Sequence, residues 1–243
     1  MSLVDTLNLN IQRLKDNVYP GRGIVLGLTK DAKNLVQVYW IMGRSENSRN
    51  RVFENEGDSV RTTPYDQSKL IDPSLIIYYP VKSDANYHVL SNGDHTDIIL
   101  DYLKKGKSFD EAVSNTYFEP DHPNYTPRIS GIINLEDKKT SYELAIVKSV
   151  YNDPQYCERH FFIYEKCIPG VGHCIHTYEG DGSPLPSFKG EPFITPLFNN
   201  IEEIAEFYWD NLNSINKVSL MVKFITVETL DTKIHIINKN VNK

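Results

Sequence analysis

The sequence predicts an α+β fold of antiparallel sheets layered with helices, in a single domain spanning residues 1–243. Three observations predict it. β-rich runs come mostly in neighbouring pairs around short turns, as hairpins do. Helical patterns are inserted in blocks instead of alternating with strands, which disfavours a parallel βαβ sheet. No repeat, low-complexity segment or linker divides the 243 residues, a length that one large or two small domains could fill.

In chain order, Leu3, Leu7, Ile11 and Leu14 fall on one face of an amphipathic helix over residues 3–16. Tyr19-Pro20-Gly21-Arg22 breaks it. Ile24–Thr29 and Leu35–Met42 form a hairpin around Lys30–Asn34. Gly43–Asp72 is polar, breaker-rich and without clear periodicity, so it reads as one long functional or mobile loop. Ser74–Val81 reads as a β-run, and Tyr87–Leu90 as another. Ile98, Ile99, Tyr102 and Leu103 recur at helical spacing from near Thr96 to Gly106. Between that strand and helix, Asn92-Gly93 makes a sharp turn for which glycine supplies positive φ, and Asp94 or Thr96 caps the helix.

Ser108 and Glu111 form a capping box ahead of Phe109, Ala112 and Val113. A Pro-rich loop, Glu119–Pro127, leads to strands at Ile129–Asn134 and Tyr142–Val150. Arg159–Ile168 and His173–Tyr178 flank Pro169-Gly170. After a polar loop reaching Pro192, Asn200 opens a helix with Ile201, Ile204, Ala205 and Tyr208 facing inward. Strands at Val218–Val227 and Lys233–Ile237 follow.

Composition excludes several function classes. Hydrophobic residues make up 40% of the chain, enough for a sizeable core. The formal net charge is −6 and no long Lys/Arg block occurs, which disfavours general nucleic-acid binding. No apolar run approaches the ~18 residues of a membrane span, and Met1–Asn17 lacks the apolar region of a signal peptide. A soluble, cytoplasmic protein without membrane contact is expected. Cys157, Cys167 and Cys174 are odd in number and lack a Cys-x-x-Cys pair, against a disulfide framework or structural zinc. The P-loop, the dinucleotide-binding glycine motif and the Gly-x-Ser-x-Gly elbow are all absent. His173 and His176 point to opposite faces of a strand, so ordinary strand residues are favoured over a metal site there.

The polar loops carry the candidate chemistry. Arg44, Arg49 and Arg51 stand close together in the long loop, with Arg22 and Arg128 beside other turns. A guanidinium fork suits bidentate phosphate binding, although a solvated basic face would contain the same residues. Tyr78 lies in an apolar run where its hydroxyl needs a partner, or where its ring simply packs. Glu119, an isolated carboxylate opening a loop, is in most proteins plain surface. The corner Ser91–Asp97 packs seven small, polar or titratable side chains between strand and helix, as a reactive site or an inert capped corner both do.

Taken together, these loops resemble the archaeal-type IMP cyclohydrolase family, which has bacterial members. The resemblance rests on Tyr19-x-Gly21-Arg22, Ser91-Asn92-Gly93-x-His95-Thr96-Asp97, Thr126-Pro127-Arg128-Ile129, and Thr177-Tyr178-Glu179 followed by Phe188-Lys189. It covers residues 19–195 or so. Residues 1–18 look like an added helix ahead of a body at 19–243, whose last third matches more loosely.

The resemblance implies a four-layer αββα sandwich like that of the N-terminal-nucleophile hydrolases, without their chemistry. It implies closure of 5-formamidoimidazole-4-carboxamide ribotide to IMP with loss of water, the last step of purine synthesis. The family's functional residues fall on Arg49, Tyr78 and, with a one-residue gap, Glu119; Arg51 competes for the arginine role. Substrate contacts are implied at Arg22, Arg51, Ser91, Asn92, Gly93, His95, Thr96, Asp97, Arg128, Glu179 and Lys189. No cofactor or metal is expected, the partner is a purine ribonucleotide, and the chain is compatible with a homo-oligomer. A hydrolase of another amide or cyclic amidine, or a purine nucleotide-binding protein without turnover, are the alternatives.

Overall fold

Ser2 and Asp5 exchange side-chain-to-backbone hydrogen bonds in a capping box that opens helix α1 (Leu3–Asp16), and Arg13 and Lys15 complement the negative end of the helix in its last turn. The computed structural model describes residues 2–70, 73, 75–84 and 86–241. The expected hairpin follows as β1 (Gly23–Leu28) and β2 (Asn34–Met42), then the single turn of α2 (Glu46–Arg49). Next come β3 (Val52–Glu56), β4 (Ser59–Thr63), β5 (Val81–Asp84) and β6 (Tyr87–Ser91). Helices α3 (His95–Lys104) and α4 (Phe109–Ser114) precede β7 (Arg128–Asn134), β8 (Tyr142–Val150), β9 (Asp153–Tyr164), β10 (Val171–His176) and β11 (Phe193–Pro196). Helix α5 (Ile201–Asn211), β12 (Lys217–Thr226) and β13 (Thr232–Asn238) close the fold.

The strands form two antiparallel sheets, ordered β11-β10-β1-β2-β12-β13 and β3-β4-β5-β6-β7-β8-β9. Alternation along β2 sets the layers. Trp40 faces outward and stacks on Tyr208 of α5, ring centroids 6.3 Å apart. Gln37 and Tyr39 face the second sheet, where Gln37 Nε2 donates to His88 O at 3.1 Å. The sheets meet around Gly131, whose missing Cβ leaves room for Leu26 and Leu144. Ile99, Leu103, Phe109 and Val113 from α3 and α4 bury the outer face of the second sheet with Val89, Ile132 and Val147. Helices α1 and α5 contact the first sheet.

Several expectations are corrected. Gly43–Asp72 is no featureless loop: within its described part, β3 and β4 form a hairpin turned at Gly57 in the left-handed region. Only Val52 and Phe53 of β3 are buried, so this edge hairpin has too little apolar alternation to show in sequence. The β-run at Ser74–Val81 is also absent over its described residues. Strand structure starts at Val81, and Leu75–Pro80 is irregular; Ser74 lies outside the described residues. Thr62 holds that segment, its N–H donating to Tyr78 O at 2.9 Å. Strand β9 begins earlier and ends earlier than Arg159–Ile168, because Tyr151 and Asn152, both at positive φ, turn β8 directly into it. β10 stops at His176, two residues short of Tyr178, and β11 was not read from sequence.

Candidate active site

The start of β1, the end of β10, the end of β6 and the start of β7 fall at one end of the sandwich. Gly21, at φ +75°, lets the chain turn into β1 where a Cβ would lie 2.2 Å from Thr177 Oγ1. The turn delivers Arg22 into the space between the sheets. Across from it, Asn92 clamps two strands, its Nδ2 donating to Pro127 O at 2.9 Å and its Oδ1 accepting from Ile129 N at 2.8 Å. That clamp fixes the origin of Arg128.

Between the two arginines lies Glu119, 1% exposed. Arg22 Nη2 is 3.3 Å from Glu119 Oε2, and Arg128 Nη1 is 3.6 Å from Oε1. Arg128 Nη2 also pairs with Asp94 at 2.9 Å, so Asp94 holds an arginine where a helix-capping role was expected. The prolines suggest an exposed loop, yet the Glu119 N–H donates to Thr126 O at 2.9 Å and folds the carboxylate inward. Burial raises the Glu119 carboxyl above its ordinary value, against the pull of Arg22 and Arg128. Burial alone would lower Arg22, but Glu119 and three nearby phenols more than offset it.

Gly93 does not supply positive φ. It supplies space: a Cβ there would sit 1.5 Å from Arg128 Nη1. The same corner buries Ser91 and Thr96, whose hydroxyls bond each other at 2.5 Å, and the ring of His95. Burial and the Arg128 cation lower the His95 pKa and keep the ring neutral.

A cavity of about 350 Å³ opens beside Glu119, lined by Tyr19, Arg22, Arg44, Asp121, Thr126 and Tyr178 among others. Asp121 accepts from the Thr126 N–H and hydroxyl, and Thr126 in turn bonds Tyr178. Tyr178 stacks on Tyr19 at 5.8 Å, and Arg44 covers the Tyr19 ring at 5.1 Å while pairing with Asp181. A wider cavity of about 580 Å³ lies beyond the 183–189 segment near Lys148 and Lys189; Glu119 does not line it.

Tyr78 and Arg51 sit deeper. Tyr78 Oη is 2.8 Å from Tyr39 Oη. Arg51 is 1% exposed, donates to Ser48 O at 2.9 Å and Met42 O at 3.3 Å, and leaves Nη1 unpartnered. It makes no ion pair among the described residues. Burial, and then Arg22, lower its proton affinity, while Tyr78 and Tyr39 oppose that.

Other expected residues lie elsewhere. Arg49 is turned outward, its Nε donating to Gly43 O at 2.8 Å and its Nη2 to Asn216 Oδ1 at 3.0 Å. Asp97 pairs with Lys82 at 2.5 Å on the exposed side of α3. Glu179 pairs with Arg13 of α1 at 3.0 Å and accepts from the Lys189 N–H at 3.2 Å, while Lys189 is exposed. Tyr39 and Asp121 escaped the sequence reading. Tyr39 looks like any strand aromatic, and Asp121 like any loop carboxylate. Tyr19, Thr126 and Tyr178 stood inside the quoted motifs and could have been found there. No group of three or more His, Cys, Asp or Glu residues able to hold a metal ion occurs among the described residues.

Fold and site define a class first: an α+β protein with a buried carboxylate between two arginines, next to a cavity of about 350 Å³. The chain matches the family model described as IMP cyclohydrolase-like protein over residues 19–229, and it belongs to that family. It is 33% identical over 121 residues to the IMP cyclohydrolase of Methanococcus aeolicus, covering 48% of this chain and 59% of that protein. To the IMP cyclohydrolase of Methanothrix thermoacetophila it is 32% identical over 123 residues, covering 48% and 58%. To that of Methanococcus maripaludis strain S2 it is 33% identical over 129 residues, covering 51% and 63%. The chain thus spans less than two thirds of the length of each of these relatives. No described helix is long and apolar enough to cross a membrane.

Proposed function

We propose that this protein is an IMP cyclohydrolase, closing 5-formamidoimidazole-4-carboxamide ribotide to IMP with loss of water. The observation that carries the reading is the buried Arg22–Glu119–Arg128 group beside a cavity lined by polar and aromatic side chains. Family membership and relatives named IMP cyclohydrolase support the same reaction. Helices outside two facing sheets suit an αββα sandwich of the N-terminal-nucleophile hydrolase kind, and the cytoplasm suits a purine-forming step.

The substrate supplies both reacting groups, so proximity is largely built into it. The carboxamide nitrogen attacks the formyl carbon, and a new carbon–nitrogen bond forms. One proton from that nitrogen and one from the formamide N–H leave with the formyl oxygen as water. Glu119, whose proton affinity burial raises, takes the proton from the carboxamide nitrogen. Tyr78 gives its proton to the formyl oxygen as it becomes a hydroxyl and recovers one from the formamide N–H, while the proton held by Glu119 passes to the hydroxyl as it leaves as water. Arg51, a buried cation without a carboxylate, steadies the charge developing there. Its burial next to Tyr78 supports Arg51 over the outward-turned Arg49 for this role. Arg44 at the cavity mouth supports the phosphate end of the ribotide, by the bidentate geometry of its fork. Arg22 and Arg128 orient Glu119, and the Ser91–Thr96 corner holds Arg128.

The test is direct. Purified protein incubated with the formamido ribotide should produce IMP, followed by ultraviolet absorbance and confirmed by chromatography. Binding of IMP without turnover would instead support a nucleotide-binding protein.

A further inference from the structure

Tyr39 stands in the middle of β2, paired with Ile24 on one side and Met221 on the other, and is 0% exposed. Phe53 packs on its ring at 5.7 Å between centroids. Its hydroxyl has one hydrogen-bond partner among the described residues, Tyr78 Oη at 2.8 Å. Tyr78 is pinned at its other end by Thr62, with its N–H donating to Thr62 Oγ1 at 2.8 Å. Two phenol hydroxyls are thus held in contact although Tyr78 belongs to no strand.

Only one hydroxyl can donate in that contact. If Tyr78 donated, the Tyr39 proton would have no acceptor where solvent does not reach, and a buried unsatisfied donor is costly. If Tyr39 donates, every hydrogen is satisfied once an acceptor lies next to Tyr78. Burial and the neighbouring Tyr78 phenol push the Tyr39 pKa well up, so it keeps the proton it must place.

We infer that Tyr39 is a positioning residue: by donating to Tyr78 Oη it turns the Tyr78 proton toward the substrate's formyl oxygen. The inference rests on the cyclohydrolase reading, in which that proton passes from Tyr78 to the formyl oxygen. Tyr39 itself touches no reacting atom.

The test is Tyr39→Phe, which keeps the ring and deletes the donor. Turnover should fall about tenfold, roughly the worth of one hydrogen bond, with KM within about twofold. In a Tyr78→Phe background the same substitution should cost nothing further. A measurement independent of turnover is the Tyr78 ¹³Cζ chemical shift at neutral pH, assigned by its loss in Tyr78→Phe, which reports the hydrogen bond that the Tyr78 oxygen accepts. That resonance should move in Tyr39→Phe, where the donor is gone. An unmoved resonance, or equal kcat losses in both backgrounds, overturns the inference. A wild type inert on the ribotide overturns the functional reading instead, and the resonance still decides the phenol pair.

Discussion

The guanidinium of Arg22 and the carboxylate of Glu119, 97 residues apart in sequence, meet 3.3 Å apart in the space between the two sheets. Neither is exposed enough for solvent to screen the pair. A buried ion pair is weak support for stability, because desolvation offsets much of the attraction, but breaking one leaves an uncompensated charge.

Glu119→Gln should lower kcat by at least ~10²-fold with KM little changed, as removal of a proton-transfer group does. The buried pair means it should also cost stability, so turnover must be measured where denaturant titration shows the variant folded. Wild-type turnover in Glu119→Gln would exclude the carboxylate as base. EDTA should leave wild-type activity intact, since Arg22 and Arg128 already meet the charge of Glu119.

Activity should depend on pH through the same group. The base must be ionised, and burial raises its pKa, so the acid limb of kcat should lie above the ordinary glutamate value of 4.5. Arg128 opposes that rise. Arg128→Met should therefore move the limb further up; a limb that stays put would separate Arg128 from Glu119.

Gly93→Ala should depress turnover by roughly tenfold or more, as a small misplacement of a catalytic group does, and should lower thermal stability through the loosened Arg128–Glu119 pair. The added Cβ would meet the far end of the Arg128 side chain at 1.5 Å, which can swing away only by leaving Glu119 and Asp94. An active Gly93→Ala enzyme would show that Arg128 need not sit there.

Between the arginines, Arg51→Lys should cut turnover far more than Arg49→Lys. If Arg51 steadies the formyl oxygen, the loss should be the same proportion on the ribotide and on the nucleoside lacking phosphate, about 2–4 kcal/mol in transition-state terms. A loss confined to the ribotide would move Arg51 to the phosphate.

Stability should fall on acidification before the carboxylates titrate. Burial lowers His88 and His173 to about 4 and His176 to about 3. Unfolded histidines titrate near ~6.5, so between that value and about 4 the unfolded chain binds more protons. Stability is therefore fully present above pH ~6.5 and drains as pH falls, by up to ~1.4 kcal/mol per pH unit for each residue. Urea midpoints from pH 7 to 5 should show this slope, and His88→Gln should flatten it.

The sequence by itself determined the α+β class, the helices α1, α3, α4 and α5, and most central strands. Caps such as Ser108 with Glu111, and buried faces such as Ile201, Ile204 and Tyr208, are local, and period and capping chemistry carry them. It also contained the motifs holding Arg22, Gly93 and Arg128. Tertiary structure alone decided that Glu119 is buried, that Arg51 faces inward while Arg49 faces out, and that Tyr39 meets Tyr78. The meeting of the two phenols spans 39 residues, and that of Glu119 with Arg22 spans 97. A one-dimensional pattern records spacing along the chain, whereas burial and charge pairing are set by which strand ends the two sheets bring together.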